Sequence, residues 1–198
     1  MNILKKVILV QLLLCYSIIS IAQEAGKLFI IGGGTRSSAL IADMVKTADL
    51  KADDYIMILP MATSEPKESI EYISTQLREF STHKIASFNF TRTEADANQS
   101  WIDSVQNARL IYVTGGDQNK FMDVVRGTKL YAALHKAYQA GATIAGTSAG
   151  AAIMSEVMIT GEQKASTDAI RTVSTDNIIT STGMGFLQSA IIDQHFII

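Results

Sequence analysis

Cysteine is almost missing from this chain of 198 residues: Cys15 stands alone. No disulfide can close within one copy of the chain, so a disulfide scaffold is excluded. Histidine is scarce too, and His83, His135 and His195 lie far apart, so no run has the spacing of a metal site. Two prolines rule out a proline-rich linker. Charged residues make up only 18% and the net charge is −2, so the basic footprint of a nucleic-acid binder is absent. Hydrophobic residues make up 47%, too many for a chain kept open by low hydrophobicity and high charge. What remains is a chain of the size of one compact domain.

The first 22 residues have a different character. Lys5 and Lys6 precede an uncharged run from Val7 to Ile21, and Ser20-Ile21-Ala22 puts small residues three and one positions before Gln23. This is the pattern of a secretory signal peptide. The run falls short of the ~20 residues that a spanning helix needs. A lipid anchor on Cys15 is disfavoured by Leu14 before it and Tyr16 after it. Removal of residues 1–22 takes away Cys15 and two lysines but no acid, moving the net charge from −2 to −4. The expected location is secreted or periplasmic, with no stable membrane anchor after cleavage.

Beyond Gln23, short apolar runs alternate with amphipathic stretches. Lys27–Ile31, Tyr55–Leu59, Lys84–Asn89, Leu110–Val113 and Ala142–Ala145 read as strands. Helices are predicted at Ser37–Thr47, after Pro66, at Ala95–Gln106, Lys120–Val125 and Lys129–Ala140. Apolar strands alternating with helices imply a parallel sheet covered on both faces, a three-layer α/β/α domain over 23–198. From Glu162 to Ser181 the chain is polar and rich in Thr and Ser, a long loop with room for one hairpin. Apolar character returns at Ala190–Ile192 as an expected strand, which nothing after Ile198 would cover. The domain therefore reads as truncated at its C-terminal end.

The chemistry concentrates at Gly146-Thr147-Ser148-Ala149-Gly150, where an apolar strand enters a small-residue turn centred on serine. This is the context of a G-x-S-x-G nucleophile elbow, whose tight turn needs small neighbours. A glycine-rich turn with an incidental serine has the same letters, but the place at a strand end favours a nucleophile. A serine needs a base. His83 and His135 read as solvent-facing, whereas His195 follows Asp193-Gln194 at the end of an apolar run and fits best. Two N–H donors are needed for an oxyanion, and Ala149 and Gly116 are the candidates. Gly32-Gly33-Gly34 departs from the dinucleotide pattern at Ser37, and no acid follows the second strand, so no nucleotide cofactor is expected.

Several stretches together resemble the cyanophycinase group of peptidase family S51, in the class I glutamine amidotransferase-like superfamily. They are Phe29–Gly34, Thr114-Gly115-Gly116-Asp117-Gln118, Gly146–Ser155, Gly183-Met184-Gly185-Phe186 and Asp193-Gln194-His195-Phe196. The resemblance implies a flavodoxin-like, mainly parallel α/β fold and a serine-type hydrolase that needs no cofactor or metal. Its implied substrate is a peptide or cyanophycin, multi-L-arginyl-poly-L-aspartate, released as β-Asp-Arg dipeptides. It implies Ser148 as nucleophile, His195 as base, Gly116 and Ala149 as oxyanion donors, and Gln118, Asp193 and Gln194 lining the substrate site. The implied acid falls in a loop of unusual length, with Glu162 the first choice and Asp168 the second. The family's arginine-rich helix after Asp-Gln-His-Phe has no counterpart before Ile198. An exopeptidase of the aspartyl dipeptidase kind and a truncated, non-catalytic homologue are the alternatives, and a homodimer stays open. The export reading has a direct check: the N-terminal sequence of the exported protein starts at Gln23, and a cytoplasmic protein that keeps Met1 contradicts it.

Overall fold

The computed structural model of the chain describes residues 26–163 and 178–194. The predicted signal peptide, Asp168 and His195 lie outside the described residues. Within them the five apolar runs form one parallel sheet. β1 (Lys27–Ile31), β2 (Tyr55–Leu59), β3 (Lys84–Ser87), β4 (Leu110–Val113) and β5 (Thr143–Thr147) lie in the order β1-β5-β4-β2-β3. Between them run α1 (Ser38–Ala48), α2 (Pro66–Arg78), α3 (Arg92–Ala97), α4 (Gln99–Gln106), α5 (Gln118–Val125) and α6 (Lys129–Gln139). After β5 come the short α7 (Ala149–Ala152) and an antiparallel pair, β6 (Val157–Gln163) and β7 (Ile178–Thr182).

The two-residue period of a strand explains the layers. Along β2, Ile56 and Ile58 join a core with Ile41 and Met44 of α1 and Ile73 and Leu77 of α2. The alternate residues Met57 and Leu59 join a larger core with Ile102 and Val105 of α4, Phe121 of α5 and Leu134 of α6. A strand buried on both faces has no polar positions to spare, which is why YIMIL is apolar throughout. The expected three-layer α/β/α architecture is thus observed. Helix starts are fixed by side chains that accept orphan N–H groups: Ser37 for α1, Thr91 with Glu94 for α3, Asp117 for α5 and Thr128 for α6.

The structure corrects the sequence reading at several places. The single helix expected at Ala95–Gln106 is two, because Asn98 leaves helical geometry (φ −82°, ψ 81°) and its side chain caps α4 by accepting from the Trp101 N–H. The third strand stops at Ser87 rather than Asn89, and Phe88 beyond it stacks on Trp101 with ring centroids 4.7 Å apart. The long polar segment does carry a hairpin-like pair, and its middle, 164–177, lies outside the described residues. Ala190–Ile192 is not a strand: the Ile192 N–H donates to the Ser155 Oγ at 2.9 Å, while Ile191 is exposed. An apolar triplet next to a polar Asp-Gln pair is too short to be assigned by pattern alone.

His135 is corrected as well. The sequence places it facing solvent, yet its ring packs between Tyr131 and Phe186, 4.7 Å from each, and its Nε2 is buried with no hydrogen-bond partner among the described residues. Burial lowers its pKa from 6.5, while a hydrogen bond with the Met184 backbone acts the other way. The unfolded chain therefore takes up this proton more readily than the folded one. Stability from the neutral ring is full above about pH 6.5 and is lost as pH falls below that value through the lowered folded pKa. Urea unfolding at about pH 7.5 and about pH 5.5 is expected to show a larger loss of stability in wild type than in His135→Phe. Equal losses in both proteins contradict this.

Candidate active site

In a parallel sheet the chain leaves every strand at the same edge, and a crevice opens where neighbouring connections turn to opposite faces. Here β1 and β2 lead to α1 and α2 on one face, while β4 and β5 lead to α5 and α7 on the other. With β5 beside β1, and β4 beside β2, the turns after these four strands part around a common crevice. A cleft of about 350 Å³ lies there, lined by Gly33 and Gly34 after β1, Thr63 after β2, Thr114–Gly116 after β4 and Ser148 after β5.

Ser148 has φ 53° and ψ −115°. Only Asp49 shares a positive φ among the described non-glycine residues. Such a conformation costs a serine about 1–3 kcal/mol, so the surroundings must impose it. The Ser148 N–H donates to the Ile31 carbonyl at 2.9 Å, continuing the β1–β5 ladder past its last pair. Its own carbonyl accepts from the Ala151 and Ala152 N–H groups at 2.9 and 3.0 Å. The residue is therefore the last of a strand and the cap of a helix at once, and only a sharp turn permits both.

The flanking glycines are needed for closeness rather than for positive φ. A Cβ on Gly146 would sit 2.3 Å from the Gly150 carbonyl oxygen, and one on Gly150 would sit 2.3 Å from that of Val113. The turn after β4 presses on the serine from the other side: a Cβ on Gly115 would lie 3.3 Å from the Ser148 Cβ. Gly116 does use the freedom of glycine, with φ 136° and the Ala62 carbonyl packed where a side chain would start. Asp117 holds this turn, its N–H donating to the Ala62 carbonyl at 2.8 Å and its carboxylate accepting from Asn119. Ser148 and Gly116 thus line one cleft, and Ala149 follows Ser148 at the start of α7.

The other predicted residues fare differently. Gln118 is 3% exposed, and its amide is committed within the protein. Its Nε2 donates to the Ile159 carbonyl at 2.9 Å, and its Oε1 accepts from the Gln194 Nε2 at 3.3 Å. It braces β6 and the segment that carries Gln194, and Asn119 assists by donating to the Thr160 carbonyl. Asp193 is exposed. Glu162 is exposed on β6 next to the irregularity around Gly161, and its carboxylate has no hydrogen-bond or ion-pair partner among the described residues. His83 precedes β3, at the sheet edge opposite Ser148, where its ring bonds Ser81 and the Lys51 carbonyl. His135, on α6, is half-buried between the rings of Tyr131 and Phe186.

Sequence reasoning missed the side of the cleft formed by Arg36, Tyr72, Tyr112 and Thr114. Tyr112 is 1% exposed, and burial pushes its phenol up to about 12, with Arg36 acting against that shift and Tyr72 adding to it. A tyrosine inside the otherwise aliphatic run LIYV was the available signal, since a buried hydroxyl needs a reason.

Residues 28–197 match the family described as Peptidase family S51. A cyanophycinase from Trichormus variabilis (strain ATCC 29413 / PCC 7937) is 29% identical over 143 residues, covering 72% of this chain and 46% of its own length. A cyanophycinase from Synechococcus elongatus is 27% identical over 146 residues, with 73% and 44% covered. The chain spans about half the length of these curated relatives. The crystal structure of a peptidase from an acI-B1 Actinobacterium superposes with a TM-score of 0.67 at 21% identity, covering 88% of this chain and 70% of that one, which speaks for the fold. With the family match running over nearly all of the described domain, the chain belongs to peptidase family S51.

Proposed function

We propose that the protein is an exported serine-type peptidase acting on an aspartate-rich peptide, with cyanophycin as the leading substrate. The observation that carries this is Ser148, held at φ 53° on a strand-to-helix turn and lining the cleft at the strand ends. Family membership and the similarity to cyanophycinases support the substrate class.

In this reading the Ser148 hydroxyl attacks the scissile carbonyl carbon and His195 takes its proton. The carbonyl oxygen becomes an oxyanion and accepts hydrogen bonds from the Gly116 and Ala149 N–H groups. Collapse of the tetrahedral adduct breaks the C–N bond, and the imidazolium returns the proton to the leaving amine. Water, deprotonated by the same histidine, then releases the acid product and restores the serine. The brace from Gln118 to Gln194 fixes the residue just before His195 in the chain and so serves positioning. The acid partner of the histidine is a choice between Glu162 and Asp168.

The test is steady-state hydrolysis of cyanophycin and of short Asp-X peptides, with circular dichroism as the check on folding. Ser148→Ala is expected to lower kcat by about 10⁴–10⁶ without changing the fold. Release of β-Asp-Arg points to cyanophycin, and turnover of short peptides alone points to the dipeptidase kind. A loss of about 10²–10⁴ in Glu162→Gln identifies that residue as the acid, and the same loss in Asp168→Asn identifies the other. Undiminished turnover in a folded Ser148→Ala protein refutes the mechanism.

A further inference from the structure

Two buried hydroxyls, unpaired among the described residues, and a guanidinium border the cleft beside Ser148, and the serine chemistry uses none of them. Tyr112 lies on β4, and Thr114 follows two positions later, so alternation along the strand points both to one face. Tyr112 is 1% and Thr114 3% exposed, and neither hydroxyl has a hydrogen-bond partner among the described residues. Both residues line the cleft. Arg36 reaches it from the turn between β1 and α1. Its Nε donates to the Gln76 Oε1 at 3.0 Å, and its guanidinium carbon lies 4.8 Å from the centre of the Tyr72 ring. These two contacts fix the plane of the guanidinium, and no carboxylate of the described residues pairs with it.

Buried polar groups without a partner are rare enough in proteins to call for a physical reason. Here two of them share a cleft with an arginine that has no counter-ion among the described residues. Arginine has only donors, and both hydroxyls can turn their hydrogens toward an acceptor. A cation is repelled by Arg36, and an apolar group would leave all three unsatisfied. A carboxylate, planar and acceptor-only, matches the whole set and gains charge-assisted bonds from it.

We infer that Arg36, Tyr112 and Thr114 form a subsite for a substrate carboxylate, next to the bond presented to Ser148. The inference rests on the reading of this cleft as the peptidase site and adds to it a reason for acidic substrates. The carboxylate has two sources, an aspartyl side chain or the free end of a peptide.

Three small probes separate these sources: N-acetyl-aspartic acid α-amide, N-acetyl-asparagine with a free α-carboxylate, and N-acetyl-asparagine amide with neither. Their affinities for the full chain are measured by NMR titration. At least one carboxylate probe is expected to bind about tenfold or more tightly than the neutral one. The tighter of the two identifies the source, and equal tightening by both means that the subsite reads the carboxylate alone. In Arg36→Gln, and in Tyr112→Phe, which removes a single oxygen, that advantage shrinks to about threefold or less. If Arg36→Gln does not fold, Tyr112→Phe and Thr114→Val decide. The inference is overturned if the neutral probe binds as well as the others, or if the advantage survives in folded variants. A retained advantage without hydrolysis of any peptide refutes the peptidase reading and leaves the subsite standing. Hydrolysis without any advantage does the reverse.

Discussion

The site depends on one backbone conformation, the positive φ of Ser148. Nothing in the serine itself favours it. It is imposed from three directions: by the ladder to β1, through the bond from the Ser148 N–H to the Ile31 carbonyl, by the first bonds of α7, and by the turn after β4 packed against the serine's Cβ. Gly146 and Gly150 let those parts close up, since each stands where a carbonyl oxygen leaves no room for a side chain. The strain is local, and the pairing of β5 with both β1 and β4 opposes its relaxation.

The rest of the architecture serves that turn. Strands buried on both faces fix β5 in the sheet, and the division of helices between two faces opens the crevice at its end. Asp117 and Gln118 then do two different jobs from adjacent positions. Asp117 caps α5 and locks the glycine turn beside the serine. Gln118 is buried beneath it and ties together β6 and the chain at Gln194. A residue that the family resemblance suggests as substrate-lining is thus occupied as a brace within the protein.

Much of this was legible in the sequence. The strands could be read because apolar runs end at Gly, Pro or small residues, and the elbow could be read because its steric demand leaves a letter pattern. The break at Asn98 was hidden: asparagine is tolerated inside a helix, and only its cap on Trp101 shows that two helices meet there. The partial burial of His135 was hidden because its aromatic neighbour Phe186 comes from a distant segment. Tyr112 and Arg36 stand 76 positions apart in sequence (112 − 36), and the parallel pairing of β1 and β4 with β5 is what brings β4 and the turn after β1 to one cleft. Pattern reading finds what neighbouring residues dictate, and it misses what long-range topology assembles.

The central claim is that the strained turn makes Ser148 a nucleophile. The most direct measurement is reaction of the full chain with a fluorophosphonate, followed by intact mass and peptide mapping. The account predicts a single adduct on the peptide containing Ser148, lost in Ser148→Ala. A folded wild-type protein that takes no label, or takes it on another serine, contradicts it.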